Sequence, residues 1–262
     1  MKLLKFIQVV YAVYALFLFV LILVIIFPLV IIASFFGKIK GGNFIYKLCS
    51  IWADIWLPMV GILHKNIFIA PHNTGHAVIF VANHISYMDV PILVKTLRQP
   101  IRVLGKIELS RIPVFGFLYR KAVVMVDRSS NENRAGSVKT LTSILKKGIS
   151  IVIFPEGTFN ISGKPLQEFY NGAFRIAIQT QTPVKPIVFP DTLNRLHYNS
   201  VFSLTPGVSR AIFMEEVPVK GLTMNDVEQL KKKVYNQMTE ELKKWGDYKE
   251  PVTLTQTSGL NL

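Results

Sequence analysis

A mixed-sheet α/β domain behind an N-terminal membrane helix is the fold that the sequence predicts, on three observations. Residues Phe6–Phe36 form an uncharged run of 31 residues, bracketed by Lys2 and Lys5 before it and by Lys38 and Lys40 after it. Beyond residue 65, apolar runs of strand length alternate with segments of helical period. Polar and charged residues follow several of those apolar runs directly, which is where open α/β sheets place their ligands.

The first run is long enough to cross a bilayer, whose core takes about 20 apolar residues. A cleavable signal sequence would carry an apolar stretch of about 7–15 residues with a small-residue site after it. This run is longer than that and ends in IIASFFGK. Pro28 predicts a kink or an exit point, because it lacks an N–H and crowds the preceding turn. Lysines on both sides leave a full span and a re-entrant helix equally open. Residues 43–63 place Ile45, Cys49, Trp52, Trp56 and Met59 near one helical face. That helix reads either as lying at headgroup depth, where an indole buries its ring and keeps its N–H wet, or as a packed helix of the domain. Residues 1–63 are thus expected to anchor the chain, 64–248 to form the α/β domain, and 249–262 to be a flexible tail.

Within the domain, NIFIA and AVIFVAN on either side of PHNTGH predict a β-hairpin. DVPILVKTLRQP predicts a helix ending before Pro100, and IRVLG and AVVMV predict buried strands. ENRAGSVKTLTSILKKG predicts an amphipathic helix with Val138, Leu141, Ile144 and Leu145 inward, closed by Gly148. ISIVIF is the expected central strand, GAFRIAIQTQ a helix, and PVKPIVF and SRAIFMEEV later strands. A last helix is expected from about Asn225 to Trp245, with Val227, Leu230, Val234, Met238 and Leu242 apolar.

Charge narrows the partners. The net charge is +14, and four of those charges fall in the first 40 residues, so about +10 belongs to the rest. Such a surface suits anionic lipid headgroups, phosphorylated substrates or an acidic carrier. No recognition helix, zinc finger or RNA-binding signature is present, so nucleic acid is not an expected partner. The single cysteine, Cys49, excludes an intramolecular disulfide and a thiolate metal cluster.

The stretch VANHISYMDVP sets His84 and Asp89 five residues apart, between a strand and a helix. A neutral imidazole can take a proton from an alcohol attacking a carbonyl, while a nearby carboxylate fixes the tautomer and stabilises the imidazolium. No G-x-S-x-G serine accompanies the pair, and Ser86 reads as a turn or capping residue, so direct attack by the acceptor is expected. FPEGT places Glu156, Gly157 and Thr158 after the central strand, VVMVDR places Arg128 after another, and LGKIELSRIPVFG supplies Lys106 and Arg111. Arginine suits a bidentate grip on phosphate. His64, His72, His76 and His197 lack partners at metal-ligand spacing and read as structural.

Taken in order, NHxxxxD, K-x-E-L-x-x-x-P-x-x-G, V-D-R, F-P-E-G-T and V-x-P-I resemble the blocks of the 1-acylglycerol-3-phosphate acyltransferase family, over about Asn66 to Glu216. The resemblance implies a membrane-bound enzyme without metal or cofactor. It would move a fatty acyl group from acyl-CoA or acyl carrier protein to the free hydroxyl of a lysophospholipid, forming phosphatidic acid in phospholipid biosynthesis. It also implies His84 as general base, Asp89 as its orienting partner, and Glu156, Gly157 and Thr158 beside the acceptor. Arg128 and Lys106 would meet its phosphate. The N-terminus is similar to that of bacterial members, implying an inner-membrane protein with its catalytic domain facing the cytoplasm. Phe159 stands where the family commonly has arginine, and Lys185 where proline or an apolar residue is usual. These departures bear on the acceptor, leaving glycerol 3-phosphate or a lyso-aminolipid as alternatives. A non-catalytic lipid-binding protein is a further alternative, against which an intact His84, Asp89 and Glu156 argue.

Overall fold

The computed structural model describes residues 2–72, 75–106, 110–111, 115–126 and 131–246. Helix α1 (Lys2–Ser34) continues through Pro28 and is long and apolar enough to cross a membrane by length and composition. A π-turn over Gly37–Gly41 leads into helix α2 (Gly42–Met59), which runs back along α1. There follow β1 (Ile62–Phe68), β2 (Ile79–Ala82), α3 (Asp89–Thr96), β3 (Ile101–Lys106), α4 (Phe115–Ala122) and β4 (Val123–Val126). The chain continues with α5 (Asn131–Leu145), β5 (Ser150–Ile153), α6 (Gly172–Thr180), β6 (Val184–Val188), α7 (Thr192–Arg195), β7 (Gly207–Phe213) and α8 (Val227–Trp245).

Among the described residues the strands form one mixed sheet in the order β1-β7-β6-β2-β5-β3-β4. Strands β6, β2, β5, β3 and β4 are mutually parallel, β7 is antiparallel to β6, and β1 is parallel to β7. The period of two along each strand splits the core. Phe80, Ala82, Val152, Ile187 and Phe189 pack with residues of α1, α2 and α3 on one face. Ile79, Val81, Ile151, Ile153 and Val188 pack with α5, α6 and α8 on the other. Coverage of both faces explains why β2, β5 and β6 are buried at every position and are mostly apolar, with Ser150 and Lys185 as the polar exceptions.

The expected hairpin does not form. β1 lies at the sheet edge against β7, and β2 stands between β6 and β5. The reason lies in the burial each strand needs: β2 requires a covered neighbour on both edges and both faces, whereas β1 exposes His64, Lys65 and Phe68 to varying degree and suits an edge. The expected boundary between residues 63 and 64 falls inside β1.

Helix α2 resolves the two readings of its tryptophans. Trp52 and Trp56 are buried between the helices, and their indole N–H groups donate to Phe19 O (3.2 Å) and Ala15 O (2.9 Å) of α1. Their donors are satisfied by protein rather than by wet headgroups. The rings stack on one another at 5.1 Å and meet the edge of Phe19. α1 turns Ala12, Ala15, Leu18, Ile22, Ile26, Val30 and Ala33 inward, steps of three and four that make one helical stripe. The opposite face exposes Phe17, Val24, Ile25 and Ile32.

Candidate active site

The site begins where β2 ends. Asn83 ties the end of β2 to the end of β6, its amide donating to Phe189 O (3.1 Å) and its carbonyl accepting Phe189 N–H (2.7 Å). The chain then turns sharply into α3, and that turn is organised by Asp89. Fully buried at the first position of α3, Asp89 accepts on Oδ2 from the main-chain N–H groups of Ile85 (2.7 Å) and Ser86 (2.9 Å). The same oxygen contacts His84 Nδ1 at 2.8 Å. A carboxylate at a helix N-terminus is also favoured by the helix dipole. Ser86 closes the turn: its hydroxyl accepts Met88 N–H (3.0 Å) and donates to Leu196 O.

Asp89 thereby holds the proton of His84 on Nδ1 and leaves the Nε2 lone pair as the acceptor. No described residue hydrogen-bonds Nε2, and the side chain of His84 keeps 21% of its surface exposed. Two aromatic rings restrict the imidazole further. Phe154 stacks on it at 4.3 Å, and Phe159 meets it edge-on at 4.5 Å. Tyr87 in turn packs on Phe159 at 4.8 Å.

The loop after β5 lies beside this turn because β5 is hydrogen-bonded to β2. Glu156 is 2% exposed. Its Oε1 accepts the main-chain N–H of His84 (2.7 Å), and its Oε2 accepts that of Gln167 (2.8 Å). Both carboxylate oxygens are therefore engaged with backbone, and burial pushes the carboxyl up to about 7. Gly157 adopts φ +72°, a left-handed conformation that favours glycine, and Thr158 is exposed. Asn160 N–H donates to His84 O (2.7 Å), so His84 is held to this loop at both its N–H and its carbonyl.

The structure thus brings His84, Asp89, Glu156, Gly157 and Thr158 to one sheet edge. Lys106 closes β3, with its side chain outside the described residues, and Arg128 lies outside them altogether. Arg128 follows β4, which stands three strands from β2, about 14 Å at ordinary strand spacing. Lys185 is elsewhere: it is fully buried, opposite Phe80, and its ammonium donates to Pro71 O (2.8 Å) near Glu216. Sequence reading missed Phe154 and Gln167. Phe154, which directly follows β5, had no local signal, because its contact with His84 depends on β5 lying beside β2. Gln167 had none either.

A profile of the Acyltransferase family matches residues 64–190. The 1-acyl-sn-glycerol-3-phosphate acyltransferase of Borreliella burgdorferi is 31% identical over 162 residues, covering 62% of this chain and 64% of its own. That of Salmonella typhimurium is 35% identical over 132 residues, covering 48% of this chain and 52% of its own. The chain therefore spans less than two thirds of the length of these curated relatives. The crystal structure of the 1-acyl-sn-glycerophosphate acyltransferase PlsC from Thermotoga maritima superposes with a TM-score of 0.68 at 22% identity, covering 93% of this chain and 96% of that one. That likeness establishes a shared fold. The residues that match the Acyltransferase family profile, 64–190, hold His84, Asp89 and Glu156.

Proposed function

We propose that the protein transfers a fatty acyl group from a thioester, acyl-CoA or acyl carrier protein, to the free hydroxyl of a 1-acylglycerol-3-phosphate, giving phosphatidic acid. The observation that carries this reading is the 2.8 Å contact of His84 Nδ1 with a buried Asp89, which leaves Nε2 as a poised base. The acceptor hydroxyl attacks the thioester carbonyl while Nε2 takes its proton. Collapse of the tetrahedral intermediate breaks the C–S bond, and the imidazolium returns the proton to the departing thiolate. The thioester is already activated, so no serine or cysteine intermediate is required.

Glu156 acts in this reading from behind, positioning His84 through its backbone, rather than by touching the acceptor. Gly157 and Thr158 edge the acceptor's place, and Arg128 and Lys106 supply cations for its phosphate. One observation favours a second reading of the acceptor. Phe159 and Tyr87 set an aromatic wall against His84 where a cation would best meet an anionic headgroup. A lysolipid whose polar group points away from that wall fits it as well.

The acceptor resides in a leaflet and the donor in water, so the site belongs at the cytosolic face of the membrane, in a bacterium the inner membrane. α1 lies along α2 through its buried stripe, and α2 packs on α3 and β1. Such packing along the helix supports an in-plane seat in one leaflet over a free span, which would need hydrocarbon all round. The test is acyl transfer by the purified full chain, with each donor against a panel of lyso-acceptors. Transfer to lysophosphatidic acid that His84→Ala abolishes is the expected result. No transfer to any acceptor, or equal transfer by the variant, overturns the reading.

A further inference from the structure

The turn between α1 and α2 is built more firmly than a connection requires. Gly37 adopts φ +76°, which a side chain resists. A Cβ on Gly41 would lie 2.2 Å from Ala33 O, and one on Gly42 would lie 2.5 Å from Arg102 Nη2. Arg102 reaches in from β3, 3% exposed, and donates to Lys38 O (3.1 Å), Ile39 O (3.3 Å) and Asn43 Oδ1 (2.9 Å). Among the described residues no carboxylate pairs with it. A buried guanidinium thus pins a π-helical turn, a local geometry that is frequent at functional sites.

What the turn presents is two-sided. Lys38, Lys40 and Lys47 are exposed, and beside them Phe35, Phe36 and Phe44 are 84%, 65% and 49% exposed. Residues 1–53 contain Lys2, Lys5, Lys38, Lys40 and Lys47 and no aspartate or glutamate. The first acid, Asp54, is taken up by Lys95 (2.5 Å) and by both guanidinium nitrogens of Arg98 (2.6 and 2.9 Å). The positive charge of the turn is therefore not neutralised by its own helices. On the same two helices Ile32, Ile51 and Ile55 are exposed as well.

We propose that this turn is a recognition surface for an anionic membrane: Lys38, Lys40 and Lys47 take the phosphates of negatively charged headgroups while Phe35, Phe36 and Phe44 enter the acyl boundary. A nucleic acid or an acidic protein would match the lysines and leave three phenylalanines in water, so a lipid surface is the partner that satisfies both. The proposal rests on the in-plane seat of α1 and α2 and adds lipid selectivity to it. Each basic residue near an anionic leaflet contributes a similar increment, so three correspond to a preference on the order of a hundredfold over a neutral surface.

The experiment is flotation of the purified full chain with phosphatidylcholine vesicles and with vesicles that also contain phosphatidylglycerol, over a salt series. Wild type should bind both kinds and prefer the anionic one, with a preference that shrinks as salt rises. The triple variant Lys38→Gln, Lys40→Gln, Lys47→Gln should keep its binding to neutral vesicles and lose the preference. Arginine at the same three positions should restore it, which separates charge from misfolding. Equal binding of wild type to both vesicles, or a preference that survives the glutamine variant, overturns the proposal. Failure of wild type to bind neutral vesicles overturns instead the in-plane seat beneath it. Phe35→Ser with Phe36→Ser should weaken binding to both kinds, and undiminished binding would overturn the part given to the rings.

Discussion

The main-chain N–H of His84 donates to Glu156 Oε1 at 2.7 Å, and the second oxygen of that carboxylate holds Gln167. Glutamine at position 156 keeps the volume but offers one acceptor oxygen for two N–H groups. One buried donor would then face an amide N–H, at a cost of about 1–3 kcal/mol. Glu156→Gln should therefore lower kcat by roughly ten- to a hundredfold through a displaced His84, with little change in acceptor KM. Steady-state kinetics on the two variables decide it, and a pure KM effect would return Glu156 to direct contact with the acceptor.

The same carboxylate makes a stability prediction. Its carboxyl is raised by burial from an ordinary 4.5 to about 7, so between those values the folded state binds the extra proton. The stabilising contribution of the protonated form is complete below about pH 4.5 and is lost as pH rises through 7. It amounts to about 3 kcal/mol at most. Urea midpoints measured across this window should fall with pH for wild type, and Glu156→Gln should flatten that component.

Removal of the base has the largest expected effect. His84→Ala should lower kcat by roughly 10²–10⁴ while the far-ultraviolet circular dichroism spectrum stays unchanged. Asp89→Asn should be similarly impaired, because an amide in place of Oδ2 can no longer fix the imidazole proton on Nδ1 and also loses an acceptor for Ile85 and Ser86. Near wild-type turnover in either would remove that residue from the mechanism.

Phe159 and Arg128 test the acceptor. Phe159→Arg would replace an aromatic wall, 4.5 Å from His84, with a guanidinium. It should lower KM for a phosphate-bearing acceptor by roughly tenfold if its phosphate sits at that wall, and leave the donor KM alone. Arg128→Ala should raise the same acceptor KM. An unchanged acceptor KM with an altered donor KM would move Arg128 to the donor's side of the site.

Trp56→Phe keeps the ring stack on Trp52 but deletes the bond to Ala15 O. A loss of about 1 kcal/mol is expected, read as a lower urea midpoint of the full chain in detergent. No change would mean that the ring alone holds α1 to α2.

Most of the elements were legible because their causes are local. The period of α5 and α8, the left-handed Gly148 after α5, and the uniformly apolar β2 all state their own conformation and burial. The His84–Asp89 pair was legible for the same reason, since five residues across one strand-to-helix turn bring the two side chains together without help from the rest of the chain.

Tertiary structure alone decided what depends on distant partners. β1 has no local signal that it pairs with a strand beginning at Gly207, so the nearer β2 looked like its mate. Whether Trp52 and Trp56 face headgroups or protein turns on α1 folding back over them, which an amphipathic pattern cannot distinguish because both environments are apolar. Glu156 looked like an open ligand residue, and only the placement of Gln167 and the His84 turn fills both of its oxygens. By itself the sequence determined the membrane-length helix, the alternating α/β pattern and the pairing of His84 with Asp89. The fold decided strand order, which side of α2 is covered, and what stands around the base, because parallel pairing and helix docking join residues whose separation along the chain carries no pattern.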